Sequence, residues 1–68
     1  MVRSTMAGTV WKVLVQPGDR VTVNQDVVIL ESMKMEIPIQ ADRDGVVREV
    51  RVKPGDFVNQ GDLLLEIA

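Results

Sequence analysis

The feature that most constrains this chain is that it repeats itself. GTVWKVLVQPGDRV (Gly8–Val21) set over GVVREVRVKPGDFV (Gly45–Val58) matches at an offset of 37, with eight identities in fourteen positions. Further along, Asn24 falls opposite Gly61, and asparagine is the commonest non-glycine resident of the left-handed backbone region. Chance could supply one Pro-Gly-Asp match. It would not readily supply a glycine, three valines, Pro-Gly-Asp and a fourth valine in register. The repeat therefore predicts two copies of one unit related by a pseudo-twofold axis.

Each copy reads as strands. Val, Ile and Leu are abundant, no stripe of period 3.6 appears, and turn residues recur every few positions. Pro17-Gly18 and Pro54-Gly55 suit the central positions of type II turns. Asp42–Gly45 and Asn59–Asp62 are further turns. Strands are expected near 2–6, 9–15, 20–23, 27–32, 35–40, 46–52, 57–58 and 63–67.

The valines shared by both copies are spaced by three and then two: Val10, Val13, Val15 and Val47, Val50, Val52. If all face inward, each strand must absorb an extra residue, near Trp11-Lys12 and Arg48-Glu49. That is a β-bulge, which bends and twists a strand and helps small sheets close. The alternative is that Val10 and Val47 point outward. The bulge is preferred because it falls at the same place in both copies. Two four-stranded, pseudo-twofold-related halves predict an all-β flattened barrel or sandwich. Residue 34 shifted by 37 falls just off either end of the chain, so the Met33-Lys34 turn and the chain ends belong at opposite poles.

Composition limits what such a domain can do. Sixty-eight residues make one small domain, 1–68, that buries only about 60% of its unfolded surface. With no cysteine or histidine, a zinc site is not available, and the absence of cysteine fits a reducing, cytoplasmic setting. The start is not basic-then-apolar, and no apolar run approaches the ~20 residues of a membrane helix. A net charge of −2 with scattered bases, and only Trp11 and Phe57 to stack on, argues against nucleic acid. Ser4 and Ser32 are the only serines, and no histidine, cysteine or tyrosine could complete a nucleophile–base pair. Glu31 and Glu36 flank one turn symmetrically and could in principle do acid–base work, but two exposed hairpin residues are the simpler reading. The chain is not expected to be an enzyme.

That turn is the oddity. ILESMKMEIPI (Ile29–Ile39) reads as a hairpin whose tip is Met33-Lys34, where Asn-Gly or Asp-Gly would be favoured. A local rule broken without visible compensation points to function. Met33 and Met35 sharpen the point, since methionine is flexible and polarizable and recurs at adaptable recognition surfaces. On the residues alone, two readings stand. Lys34 could be an acylation site or docking charge, or the methionines could cover the barrel end with Lys34 as a solubilising cap.

ESMKME, preceded by GTVWKVLVQPGD and followed by ADRDGVVREVRVKPGDFVNQGDLLLEI, resembles the biotinyl domain family, whose usual motif is E-A-M-K-M. The resemblance runs from about Met6 to Ile67 and is nearest to the short bacterial biotin/lipoyl attachment proteins. It implies biotin joined by an amide to Lys34 Nζ, installed by a biotin protein ligase using ATP. The domain would then swing between biotin carboxylase and carboxyltransferase sites. Met33 and Met35 would help recognise the cofactor, and Glu31, Ser32 and Glu36 would help present the turn.

Lipoyl domains share the fold and read E-T-D-K-A. Glu31 fits both patterns and Ser32 resembles the threonine, whereas Met33 and Met35 fit only the biotinyl motif. A lipoyl carrier, modified at the same Lys34 by a lipoate ligase, is the alternative, and an unmodified lipoyl-like interaction module is the rival from another class. The usual P-M-P-G or P-M-A-G start is STMAG here, and the chain is too short for the protruding thumb of some biotinyl carriers. A monomer is expected.

Overall fold

The computed structural model describes residues 1–68 and contains eight strands. They are β1 Val2–Arg3, β2 Gly8–Val13, β3 Arg20–Val21, β4 Asp26–Ser32, β5 Met35–Gln40, β6 Gly45–Val50, β7 Phe57–Val58 and β8 Leu63–Ile67. They form two four-stranded sheets, ordered β1-β8-β6-β3 and β5-β4-β2-β7, with every pairing antiparallel. This is the flattened barrel-sandwich that the repeat predicts.

Several strands stop short of their expected ends. β1 covers Val2–Arg3 rather than 2–6, because the Ser4 hydroxyl donates to the Met6 carbonyl and holds the backbone in a local turn. β3 ends at Val21 because Thr22 to Gln25 close a turn: Gln25 N–H donates to Thr22 O, and Thr22 N–H to Gln25 Oε1. β2 and β6 leave the ladder after Val13 and Val50. Single bonds, Leu14 N–H to Val27 O and Arg51 N–H to Leu64 O, then carry them along the neighbouring strand.

The bulges fall at the expected place in both copies. The β2–β4 register shifts between Val10 and Lys12, and the β6–β8 register between Val47 and Glu49. Val10 and Val47 point inward and are each 1% exposed, so the extra residues are Trp11 and Arg48. Gly18 and Gly55 take φ of 96° and 97°, as second residues of their Pro-Gly turns require. Asp19 and Asp56 cap those turns by accepting from the N–H groups of Gln16 and Lys53. Asn24 opposite Gly61 also keeps its geometry, with φ of 68° and 90°.

The repeats do not each form one sheet. Strands β1 to β4 belong to the first copy and β5 to β8 to the second, yet each sheet takes two strands from each. The core is built the same way, from twofold mates such as Val2 and Ile39, Val27 and Leu64, Val28 and Leu65, and Leu30 and Ile67, all buried. Each such side chain contributes roughly 1.5–3 kcal/mol on burial.

The body is elongated, 31 × 18 × 18 Å. The β4–β5 hairpin runs from Asp26 paired with Gln40 to Ser32 paired with Met35, about 17 Å at ~3.4 Å per residue. Ala68 N–H bonds Val46 O, and Met1 lies beside Pro38 to Asp42. Both described chain ends thus head for the pole away from Met33-Lys34.

Because neither copy owns a complete sheet, fragments 1–33 and 34–68 should each lack β-structure by far-UV circular dichroism. Both fall below the roughly 40 residues at which isolated domains usually fold. Mixing them in equal amounts should restore the β spectrum.

Candidate functional site

The site is the tip of the β4–β5 hairpin. Glu31 pairs with Glu36 and Ser32 with Met35, which leaves Met33 and Lys34 as a two-residue loop. A loop of that length matches the right-handed twist of its strands as a type I′ or type II′ turn. Met33 has φ 51° and Lys34 has φ 65°, positive at both positions as type I′ requires. Neither residue is well suited to that turn. Each non-glycine side chain in this region costs about 1 kcal/mol or more.

What holds the strained tip is the ladder below it. β4 is an inner strand, paired to β5 on one side and β2 on the other. Leu30, two residues below Ser32, is fully buried. Gly8 of β2 sits against the last turn of β4. A Cβ at Gly8 would lie 2.9 Å from the Glu31 carbonyl oxygen, so glycine lets β2 close up beneath the tip. Gly8 was not among the residues picked from the sequence as belonging to the turn. Its one visible signal is that the repeat places glycine again at residue 45, where a Cβ would meet Ala68 O.

The methionines do not plug the barrel end. Met33 is 92% exposed and Met35 65% exposed, so both stand beside Lys34 in solvent. Lys34 is exposed and forms no ion pair within the chain. The hairpin thus presents one primary amine flanked by two long flexible thioethers, at the pole away from the chain ends.

Glu31 and Glu36 lie directly opposite each other on the outer face, exposed, with no cation of this chain paired to either. Like charges in that relation oppose sheet formation slightly. Ser32, half-buried, packs with its Cβ toward Gly8. The cross-strand row continues from Glu31 through Thr9 to Phe57, which is 65% exposed. Thr9 is brought to the site by the β2–β4 pairing and Phe57 by the β2–β7 pairing, the latter a contact between copies that the sequence order conceals.

Comparison with known proteins agrees with this geometry. The family described as biotin-requiring enzyme, of the biotin/lipoyl type, matches residues 1–67. The biotin/lipoyl attachment protein of Bacillus subtilis is 64% identical over 63 residues, covering 93% of this chain and 86% of that protein. The urea carboxylase of Kluyveromyces lactis superimposes with a TM-score of 0.94 at 35% identity, over all of this chain and 6% of its own. The lipoyl domain of the Azotobacter vinelandii 2-oxoglutarate dehydrogenase complex superimposes with a TM-score of 0.77 at 28% identity, over all of this chain and 96% of its own.

The strain at the tip is measurable. Replacing the loop by the residues its geometry favours, Met33→Asn with Lys34→Gly, should raise the free energy of unfolding by about 1–2 kcal/mol in urea denaturation. The slope of the transition should not change.

Proposed function

The chain belongs to the biotin/lipoyl attachment family, and on that premise we propose that it is a biotin carrier with Lys34 as the point of attachment. The observation that carries the proposal is the Met33-Lys34 loop: two non-glycine residues in left-handed backbone, at a hairpin tip on the pole away from the chain ends. A turn chosen for stability would not use them. A turn chosen to hold out one amine between two methionines does.

The tip's residues suit such a group. The amine of Lys34 is free to attack a carboxyl group that the ligase has activated with ATP, forming the amide as the activating phosphate ester leaves, and no residue of the chain competes for it. Acylation replaces an ammonium by a neutral amide, removing one positive charge beside Glu31 and Glu36. When bound, biotin carries a carboxyl group from a biotin carboxylase site to a carboxyltransferase site. The protein supplies orientation and tethering.

A lysine on a rigid hairpin gives a biotin protein ligase one geometry to recognise. A tether raises the effective concentration of the arm at its second site to the mM range for short linkers. Met33 and Met35, mobile and polarizable, line the base of the arm, while Glu31, Ser32 and Glu36 present the turn. The domain, residues 1–68, acts as a non-catalytic, monomeric carrier in the cytoplasm.

A second reading has its own support. Ser32 stands where lipoyl domains carry threonine, and the lipoyl fold is the same one. Lipoate on Lys34, installed by a lipoate ligase, is therefore the alternative.

Co-expression with a biotin protein ligase should give a single biotinyl adduct by intact mass and a streptavidin-positive band, both abolished by Lys34→Ala. A parallel co-expression with a lipoate ligase separates the two groups. No adduct in either experiment, or one that survives Lys34→Ala, would defeat the proposal.

A further inference from the structure

We propose that the outer face of the β5-β4-β2-β7 sheet is the surface on which the biotin protein ligase docks to reach Lys34. This rests on the biotin-carrier reading above. The pseudo-twofold acts as an internal control. Residues 1–31 are mates of 38–68 and do the same structural work, so a chemical difference between exposed mates is not required by the fold.

Buried mates keep their character. Val10 matches Val47, Val21 matches Val58 and Leu30 matches Ile67. Four outward mates diverge in one direction, although Thr9 and Asp26, with Val46 and Leu63 as mates, differ the other way. On the hairpin-bearing sheet and just past the end of β2 stand Trp11, Leu14, Ile29 and Phe57; at the equivalent positions of the other copy stand Arg48, Arg51, Glu66 and Arg20. Trp11, Leu14 and Phe57 are 42%, 47% and 65% exposed. At these four positions one face is apolar and aromatic and the other charged, on frameworks that are otherwise alike. An apolar strip retained in solvent marks an interaction surface.

Charge identifies the occupant. On the other face Arg51 is paired within the chain, 3.4 Å from Glu49 and 3.5 Å from Glu66, while Arg20 and Arg48 form no ion pair. On the hairpin face Glu31 and Glu36 oppose each other with no cation between them. Lys12, the one base on that sheet's outer strip, is stacked on Trp11 at 4.4 Å from the ring centroid. Asp26 makes the far end of the strip acidic as well. Two copies meeting by this same face would bring acid against acid in either orientation. The fitting partner presents an apolar strip ending in a basic cluster, seated so that Glu31 and Glu36 meet the cations and Lys34 enters the active site. The ligase must bring its active site to this tip, and the strip runs continuously up to it.

The test exchanges residues between mates. Trp11→Arg and Phe57→Arg put on the hairpin face what the fold already carries at positions 48 and 20, so the variants should keep the wild-type circular dichroism spectrum. With a bacterial biotin protein ligase, biotin and ATP, each should raise KM for the carrier by about tenfold or more, the loss expected for one interface aromatic, with kcat within about twofold. The opposite-face variants Arg48→Trp and Arg20→Phe should leave KM within about twofold. Leu14→Arg provides a third exchange on the same strip should an aromatic one loosen the fold. An unchanged KM on the hairpin face, an equal effect on both faces, or a wild-type dimer that Trp11→Arg dissociates would overturn the proposal. A wild-type protein that accepts no biotin would instead overturn the carrier reading, and this proposal with it.

Discussion

The structure depends on an exchange of backbone hydrogen bonds between the two copies of the repeat. Val10 N–H donates to Asp56 O, and Gly55 N–H donates to Val10 O. The twofold mates of these bonds run from Val47 N–H to Asp19 O and from Gly18 N–H to Val47 O. Each copy's bulged strand is thereby clamped by the Pro-Gly-Asp turn of the other. These bonds continue the β2–β7 and β3–β6 pairings beyond Thr9 and Val46 into the opposing turn. A small chain without disulfides gains an interlocked body in this way, since neither copy can close its core without the other.

That body is what lets the hairpin tip break the rules of turn chemistry. Two left-handed residues without glycine would destabilise an isolated hairpin, which is marginal in water in any case. Here β4 lies between β5 and β2, with Val27, Val28 and Leu30 fully buried, and the ladder outweighs the cost at its end. The strain is local, at Met33 and Lys34, and the side chains that cause it are the ones left in solvent. The division of labour follows: the core selects the geometry of the turn, and the turn's residues are free to serve chemistry.

Approximate symmetry makes such division legible. The turns at Gln16–Asp19 and Lys53–Asp56 keep the same proline, glycine and capping aspartate because backbone geometry demands them in both places. Trp11 and Arg48 occupy the same bulge yet share nothing chemically, because the bulge requires only an extra residue, not a particular one. Where fold constraint is equal, the difference is left to the surroundings of the surface. The pairing of Glu31 with Glu36, unfavourable within the chain, belongs to the same category.

Much of this could be read before any coordinates. The valine spacing favoured a bulge in each copy, the repeat predicted a twofold, and the misplaced Met-Lys turn singled out Lys34, because each of these signals is local in sequence or compares the chain with itself. Which strands would pair was not legible. Hydrophobic spacing tells which face of a strand is buried but not which strand lies beside it, and the β2–β7 and β3–β6 pairings cross between copies. For the same reason Phe57 and Thr9 joined the row of Glu31 only in three dimensions. Gly8 too was a repeated glycine with no stated purpose until β2 was seen against Glu31 O. The sequence by itself determined the two-copy β architecture and the lysine at its tip. Tertiary structure decided how the copies interlock, and so which exposed side chains share a face with that lysine, because long-range strand pairing is set by the fit of the whole core.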